Sequence, residues 1–382
     1  MINYEYKYIR KIDERNKYKQ LENVVLRGNI TYEIVDNGVI LPQRDSNNIH
    51  HWMGDGGVID SSGNFIKNSG ILGFAENEGD YVFGGKYNCD INQTFSETVL
   101  YMGPFKPHWG HFLLEFITRL WYWIKYNPNI RVAYCGFACE QNSLSGNYLQ
   151  LLNLLGIKKE QLIDVREPIR FSKIIIPEQS FLRDKYYSYE YKMIIDKLKQ
   201  EAHCSGDLVG DVYFSRVEFI RNSEYEVKER GEESIVKQFR ANRFDIVAPE
   251  KLSAVEQIRL MSSAKRIAVP IGGASMNLVF ASSGCEVILL KKAYLMEMPN
   301  DMHMIANLVN ASKVTFLDIY YKPYDFLPRT YGGGPHMLGV TREVKQYLDD
   351  NNMREIYDIS MSIRKVHNFF WLTTKALKHI LK

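Results

Sequence analysis

Between Pro107 and Trp123 the chain reads PHWGHFLLEFITRLWYW, an apolar run that carries His108, His111, Glu115 and Arg119 at steps of three, four and four residues. On a continuous helix those steps put all four on one polar stripe, with Trp109, Phe112, Leu113, Phe116, Leu120 and Trp123 pointing elsewhere. A helix that is apolar on most sides is buried, so its polar stripe must face bonded partners or a cleft. Facing a cleft, Glu115 or His111 is a candidate general base, with His108 and Arg119 beside it on the side of the incoming substrate. Two other readings are open. Glu115 and Arg119 can form an i,i+4 ion pair while the histidines cap the helix start. Alternatively His108, His111 and Glu115 can converge on a metal ion, although no HExxH occurs.

A second group lies in IAVPIGGASMNLVFASSGCEVILL, where Gly272, Gly273, Ala274 and Ser275 separate an apolar strand from a helix expected from about Met276. Small residues there let backbone amides and the positive end of a helix approach a diphosphate. The pattern is neither GxGxxG nor GxxxxGK[ST], so a plain tight turn accounts for it as well. Arg216 closes the strand VYFSR and Arg221 follows in a polar stretch. Both would leave the carboxyl edge of a sheet, where α/β proteins bind ligands and where guanidinium groups neutralise phosphate. Glu250, just after FDIVAP, reaches the same edge and is a candidate acceptor of a ribose hydroxyl bond.

The elements that must position these residues follow from periodicity. Residues 22–100 alternate short β-type runs with Gly, Asn and Asp turns, an irregular β-rich region. From Pro107 the pattern becomes β/α: a helix to about Tyr126, a strand RVAYCG, a helix at GNYLQLLNLLG, a strand at SKIIIPE and a helix over 185–202. A second β/α series opens with DVYFSR. It continues through a polar loop VEFIRNSEYEV, a helix to Ala241, FDIVAP, a helix over 254–263 announced by a Ser253/Glu256 capping box, KRIAVPI and EVILL. This organisation predicts an α/β protein with one domain over 1–205, a second α/β domain over 206–335 and a helical segment over 336–382.

Composition excludes several classes. At 382 residues, 45% hydrophobic and 24% charged, the chain can fill a sizeable core, and the 48 basic against 45 acidic residues give no field for nucleic acid. The amino terminus MINYEYKYIRKIDERNKYKQ has no apolar signal region, which places the protein in the cytoplasm. Five scattered cysteines suit reduced thiols; Cys135 and Cys139 read as small buried residues that can touch across one helical turn.

The ordered series HWGHFLLE, YFSR and FDIVAPEKLSAVEQIRLMSSAKRIAVPIGGASMNLVFASSGCEVILL resembles the family-61 glycosyltransferases over roughly residues 25–350. The resemblance implies a GT-B-like architecture of two facing Rossmann-like domains, a nucleotide-sugar donor in the carboxyl-terminal one, and transfer with inversion. It maps the family's His and acid onto His111 and Glu115, its Gly-Ala turn ending in Asn onto Gly273, Ala274 and Asn277, and its strand-end arginine onto Arg216. The chain departs from the family pattern in VEFIRNSEYEV, which holds Arg221 and Glu224, at Gly272, where relatives often have His, and at Leu289, where they often have Glu.

Chemistry then fits the residues together. A sugar hydroxyl attacking an anomeric carbon needs a base, Glu115 or His111, while the departing diphosphate needs the positive donors of Arg216 and the Gly272–Asn277 turn. No D-x-D occurs, so a metal clamp is not expected, nor any other cofactor. The expectation is an inverting glycosyltransferase of surface-polysaccharide assembly, acting on a glycan or lipid-linked glycan. The alternatives are a non-catalytic nucleotide- or glycan-binding scaffold and a nucleotide-sugar epimerase. Residues 360–382 form a basic amphipathic helix that either lies on the inner face of the membrane or docks across the domains by Ile363, Val366, Phe370, Leu377 and Leu381.

Overall fold

The computed structural model describes residues 2–44, 54–72, 81–136, 144–222, 229–293, 299–322, 334–357 and 359–380. Cys139, Glu224, Gly332 and Leu381 lie outside the described residues. The chain divides into two compact units, Val25–His203 and a second that joins Met1–Val24 to Cys204–Lys382.

The Val25–His203 unit is built on a mixed sheet in the order Leu162–Val165, Arg131–Gly136, Gln93–Phe105, Ile169–Pro177, Val39–Arg44, Asp55–Ile59, with Tyr32–Asp36 also paired to Ile169–Pro177. The first four strands run parallel; the β-rich amino-terminal strands join antiparallel. Buried central strands need apolar residues on both faces, and Val99, Tyr101, Ala133, Phe171, Ile174 and Ile176 supply the core. Cys135 is buried there as expected, its thiol on the Leu41 carbonyl.

The crossover that leaves Gln93–Phe105 is the apolar run of the sequence, and it is not one continuous α-helix. An α turn at Trp109–His111 widens to a π-helical turn over Phe112–Phe116, tightens to a 3-10 turn over Ile117–Arg119 and returns to α over Trp121–Lys125. Crowding accounts for the irregularity: the rings of Phe112 and Phe116 pack on Phe105 and on one another. Each change of pitch rotates the residues that follow, so the uniform stripe is broken after Glu115.

The second unit carries a wholly parallel sheet in the order Asn3–Glu5, Lys313–Asp318, Glu286–Lys291, Arg266–Pro270, Asp211–Phe214, Phe244–Val247. From Asp211–Phe214 the chain winds outward through the Glu232–Ala241 helix to Phe244–Val247. It then returns through the Ala254–Ser263 helix to Arg266–Pro270 on the other side. The order of strands therefore reverses between Asp211–Phe214 and Arg266–Pro270, a topological switch point of a doubly wound sheet. Ser253 and Glu256 form the expected capping box. The polar stretch after Arg216, read as a loop, begins as a short helix at Val217–Asn222.

Two expectations about domain membership are corrected. Residues 1–24 do not belong with Val25–His203: Asn3–Glu5 is an edge strand on Lys313–Asp318. Tyr6, Tyr8 and Tyr18 are buried in the second unit, with Tyr6 stacked on Phe316. The Ile12–Gln20 helix is fastened by a buried ion triad of Glu14, Lys291 and Asp318. Residues 336–382 are likewise part of that unit rather than a separate segment. Their long helix, Ile359–Ile380, packs through Leu372, Ala376 and Trp371 on Met337 and Tyr321. Ile363, Val366, Phe370 and Leu377, expected to dock, are exposed. Trp371 is half-buried beneath Arg230.

Candidate active site

In the Val25–His203 unit the polar residues gather where Gln93–Phe105 ends. Glu115 is buried, and its carboxylate is shared by His111 Nδ1 at 2.6 Å, Arg183 at 3.3 Å and Lys106 Nζ at 3.4 Å. Lys106 is the first residue beyond that strand, and Arg183 lies just after the short strand Phe181–Leu182 that follows Ile169–Pro177. Burial by itself would raise the Glu115 pKa, but Lys106, the hydrogen bond from His111 and Arg183 outweigh it and hold the carboxyl well below the usual range. Such a carboxylate is a poor base and a good orienting group. An ionised carboxylate can only accept, so His111 Nδ1 donates to it.

His108, exposed at the start of the helical turn, stands with its ring edge-on to His111 at 5.1 Å. Arg119 is elsewhere, and its expected place beside an acceptor is corrected. It is fully buried, donating to the carbonyls of Asn68, Gly70, Met102 and Pro177. Nor does it pair with Glu115. Gly103, at a φ of +102°, makes room for it: a Cβ there would lie 3.0 Å from the guanidinium. Burial pulls the Arg119 pKa down to about 10, still far above neutrality, so the four carbonyls solvate a permanent charge.

In the second unit Ser215 and Arg216 leave the sheet beside the Gly272 turn, on the two strands that flank the switch point. Lys292 leaves beside them, one residue past Glu286–Lys291. Arg216 Nε donates to Glu229 at 2.9 Å, and Lys292 Nζ reaches the other Glu229 oxygen at 2.5 Å. The Arg216 amide donates to Glu232, as does the Tyr213 hydroxyl. Burial opposes ionisation of Glu229, but Lys292 and Arg216 win and hold it at about 2; burial and the nearby Glu229 push Glu232 up to about 7. Two cations thus face one firm carboxylate and one that is half-protonated near neutrality.

The turn itself is a 3-10 helix over Gly273–Phe280 rather than a helix from Met276. Gly273 and Ala274 are partly exposed and bring the unbonded first amides of that helix to the sheet edge. Gly272, Ser275 and Asn277 look inward, contrary to a donor-contact role. The Ser275 hydroxyl is bonded to the Gly272 carbonyl, and Asn277 donates to Gln257. Glu250 is exposed after the outermost strand Phe244–Val247. Arg221 lines a cavity of about 330 Å³ together with Glu229, Arg230, Arg364 and His367, and the Gly272–Asn277 turn does not take part in it. Leu289 is buried within its strand and touches neither edge. Among the described residues no group of three or more His, Cys, Asp or Glu is placed to hold a metal ion, and His108, His111 and Glu115 do not form one.

Lys106, Arg183 and Lys292 were not singled out in the sequence. A signal existed for Lys106 and Lys292, each a lysine immediately beyond an apolar strand; none existed for Arg183, which meets Glu115 from 68 residues away. No curated protein matches the chain. Residues 109–288, which run from the His111–Glu115 turn to the strand after Gly272, match the family model described as Glycosyltransferase 61. That match supports glycosyltransferase family 61 for this chain, and with it glycosyl transfer as the general activity.

Proposed function

We propose that the protein is an inverting glycosyltransferase that moves a sugar from a nucleotide-sugar donor to a hydroxyl of a glycan or lipid-linked glycan, in surface-polysaccharide assembly in the cytoplasm. The fold reading that accompanies it is GT-B-like, with base chemistry in the Val25–His203 unit and donor binding in the other. The observation that carries it is the 2.6 Å contact between His111 Nδ1 and the buried Glu115 carboxylate, inside the segment that matches the family.

In this reaction His111 Nε2 takes the proton of the acceptor hydroxyl as its oxygen attacks the anomeric carbon. The bond from that carbon to the diphosphate breaks on the opposite face, and its electron pair leaves with the phosphate. Glu115 stabilises the imidazolium. Arg216, Lys292 and the Gly273 and Ala274 amides meet the leaving charge. Arg221 and Glu250 are assigned to the outer part of the donor, and His108 to the acceptor.

A thermal-shift screen of UDP, GDP, CMP and TDP tests donor binding, followed by transfer from the matching sugar nucleotide and assignment of the product anomer by NMR. Turnover is expected to survive a chelator, because the sequence has no D-x-D and offers cationic side chains instead. Retention of configuration, or activity abolished by chelation and restored by a divalent ion, overturns the corresponding part of the mechanism. Release of an epimerised donor without an acceptor identifies an epimerase instead.

A further inference from the structure

The Ile359–Ile380 helix has an uncovered face that the catalytic reading does not use. Leu372 and Ala376 are its buried contacts with its own unit. On the opposite side Ile359, Ile363, Val366, Phe370 and Leu377 are 71, 64, 57, 65 and 55% exposed. Their spacings of four, seven, eleven and eighteen from Ile359 bring all five onto one stripe of a helix with 3.6 residues per turn. Phe369, also exposed, widens it. Helical rotation sets Lys378 on one flank of the stripe and Arg364 further round, 3.9 Å from Glu233 of its own unit, while Lys365 lies on the packed side over the Tyr321 ring; the 22 residues include no Asp or Glu.

We propose that this face lies flat on an anionic lipid surface, with the stripe at the boundary of headgroups and acyl chains and Lys378 against lipid phosphates. Charge decides the occupant. Pairing with a second copy of the same helix would bring two basic helices together without an acid on either to answer the cations, whereas anionic lipid supplies a counter-charge. No described helix is long and apolar enough to cross a membrane, so the contact is peripheral. The inference stands apart from glycosyl transfer and survives or fails without it.

The test is co-sedimentation of the full chain with phosphatidylcholine vesicles containing roughly one-third phosphatidylglycerol, against pure phosphatidylcholine, at low and high salt. Binding is expected only to the anionic vesicles and is weakened by salt. Ile363→Glu with Phe370→Glu is expected to reduce it at least tenfold, and Lys378→Gln by about fivefold. The melting temperature should not move, because both apolar positions are exposed in the folded chain. Three results overturn the proposal: equal sedimentation of wild type and the double Glu variant, a large fall in melting temperature in that variant, or a dimer that the variant dissociates with no vesicle binding in either protein.

Discussion

Glu115→Gln and His111→Ala separate an orienting carboxylate from a base. Removing the Glu115 charge leaves Lys106 and Arg183 buried beside a neutral amide. Losing this charged partner costs up to about 3–5 kcal/mol, or a fall of up to roughly 6–20 °C in melting temperature for a unit of this size. His111→Ala leaves both cations on Glu115 and should fold nearly as wild type, so it carries the kinetic test even if the first variant is unstable. Loss of the base is expected to lower turnover about 10²–10⁴-fold. If Glu115 acts through His111, Glu115→Gln falls less, and the double variant is no slower than His111→Ala alone. Nucleotide affinity, read by calorimetry, should stay near wild type in all three, because the Arg216 and Lys292 network belongs to the other unit. Near-wild-type turnover of His111→Ala would refute the assignment; a large loss in Glu115→Gln alongside it would return the role of base to the carboxylate.

Arg119→Met leaves four buried carbonyls without their donor and should destabilise by about 3–5 kcal/mol in chemical denaturation, while any folded fraction keeps its KM for acceptor; a raised KM with unchanged stability would restore the substrate-contact role. Gly273→Val puts a branched side chain before the turn amides and should weaken nucleoside-diphosphate binding about tenfold or more by calorimetry, with wild-type affinity showing that the donor lies elsewhere. Stability should rise on acidification from pH 8 to pH 5. Glu232 and Glu14, both raised to about 7 from the ordinary 4.5, hold protons in the folded chain that the unfolded chain releases across that window. Glu232→Gln should flatten the melting-temperature profile by up to roughly 3 kcal/mol, and an unchanged profile would show that Glu232 is ionised throughout. The depressed carboxyls of Glu115 and Glu229 withdraw their stability only below about pH 4.5, outside that window.

Local chemistry was legible where it depended on neighbours in sequence. The Ser253/Glu256 cap, the alternation of strands and helices and the closeness of His111 to Glu115 all follow from spacing. Spacing failed for Arg119 because it presumes one pitch, and the turn from Phe112 to Arg119 changes pitch twice under aromatic crowding. The amino terminus hid a strand: Tyr4, Tyr6 and Tyr8 alternate, but the charges between them mask the pattern, and the strand depends on a long-range parallel partner, Lys313–Asp318. In the terminal helix the apolar stripe was evident, yet the small side chain of Ala376, with Leu372, made the closer packing surface, and the bulkier stripe was left outside.

The two candidate centres share an electrostatic plan that explains why a buried helix carries a glutamate. In each unit a single strongly acidic carboxylate, Glu115 or Glu229, sits between two cations. At the Glu229 edge those cations suit the anionic ligand proposed for it. At Glu115 they would oppose any neighbouring group that must become positive, as the proposed base does on accepting a proton. A carboxylate held fully ionised within 2.6 Å of Nδ1 removes that opposition at the one place where it matters. Lys106 and Arg183 keep Glu115 ionised. On the proposed mechanism the order of effects follows: losing His111 is expected to remove most turnover with the fold intact, losing Glu115 to weaken both, and losing Lys106 or Arg183 to act first on the acidity of Glu115.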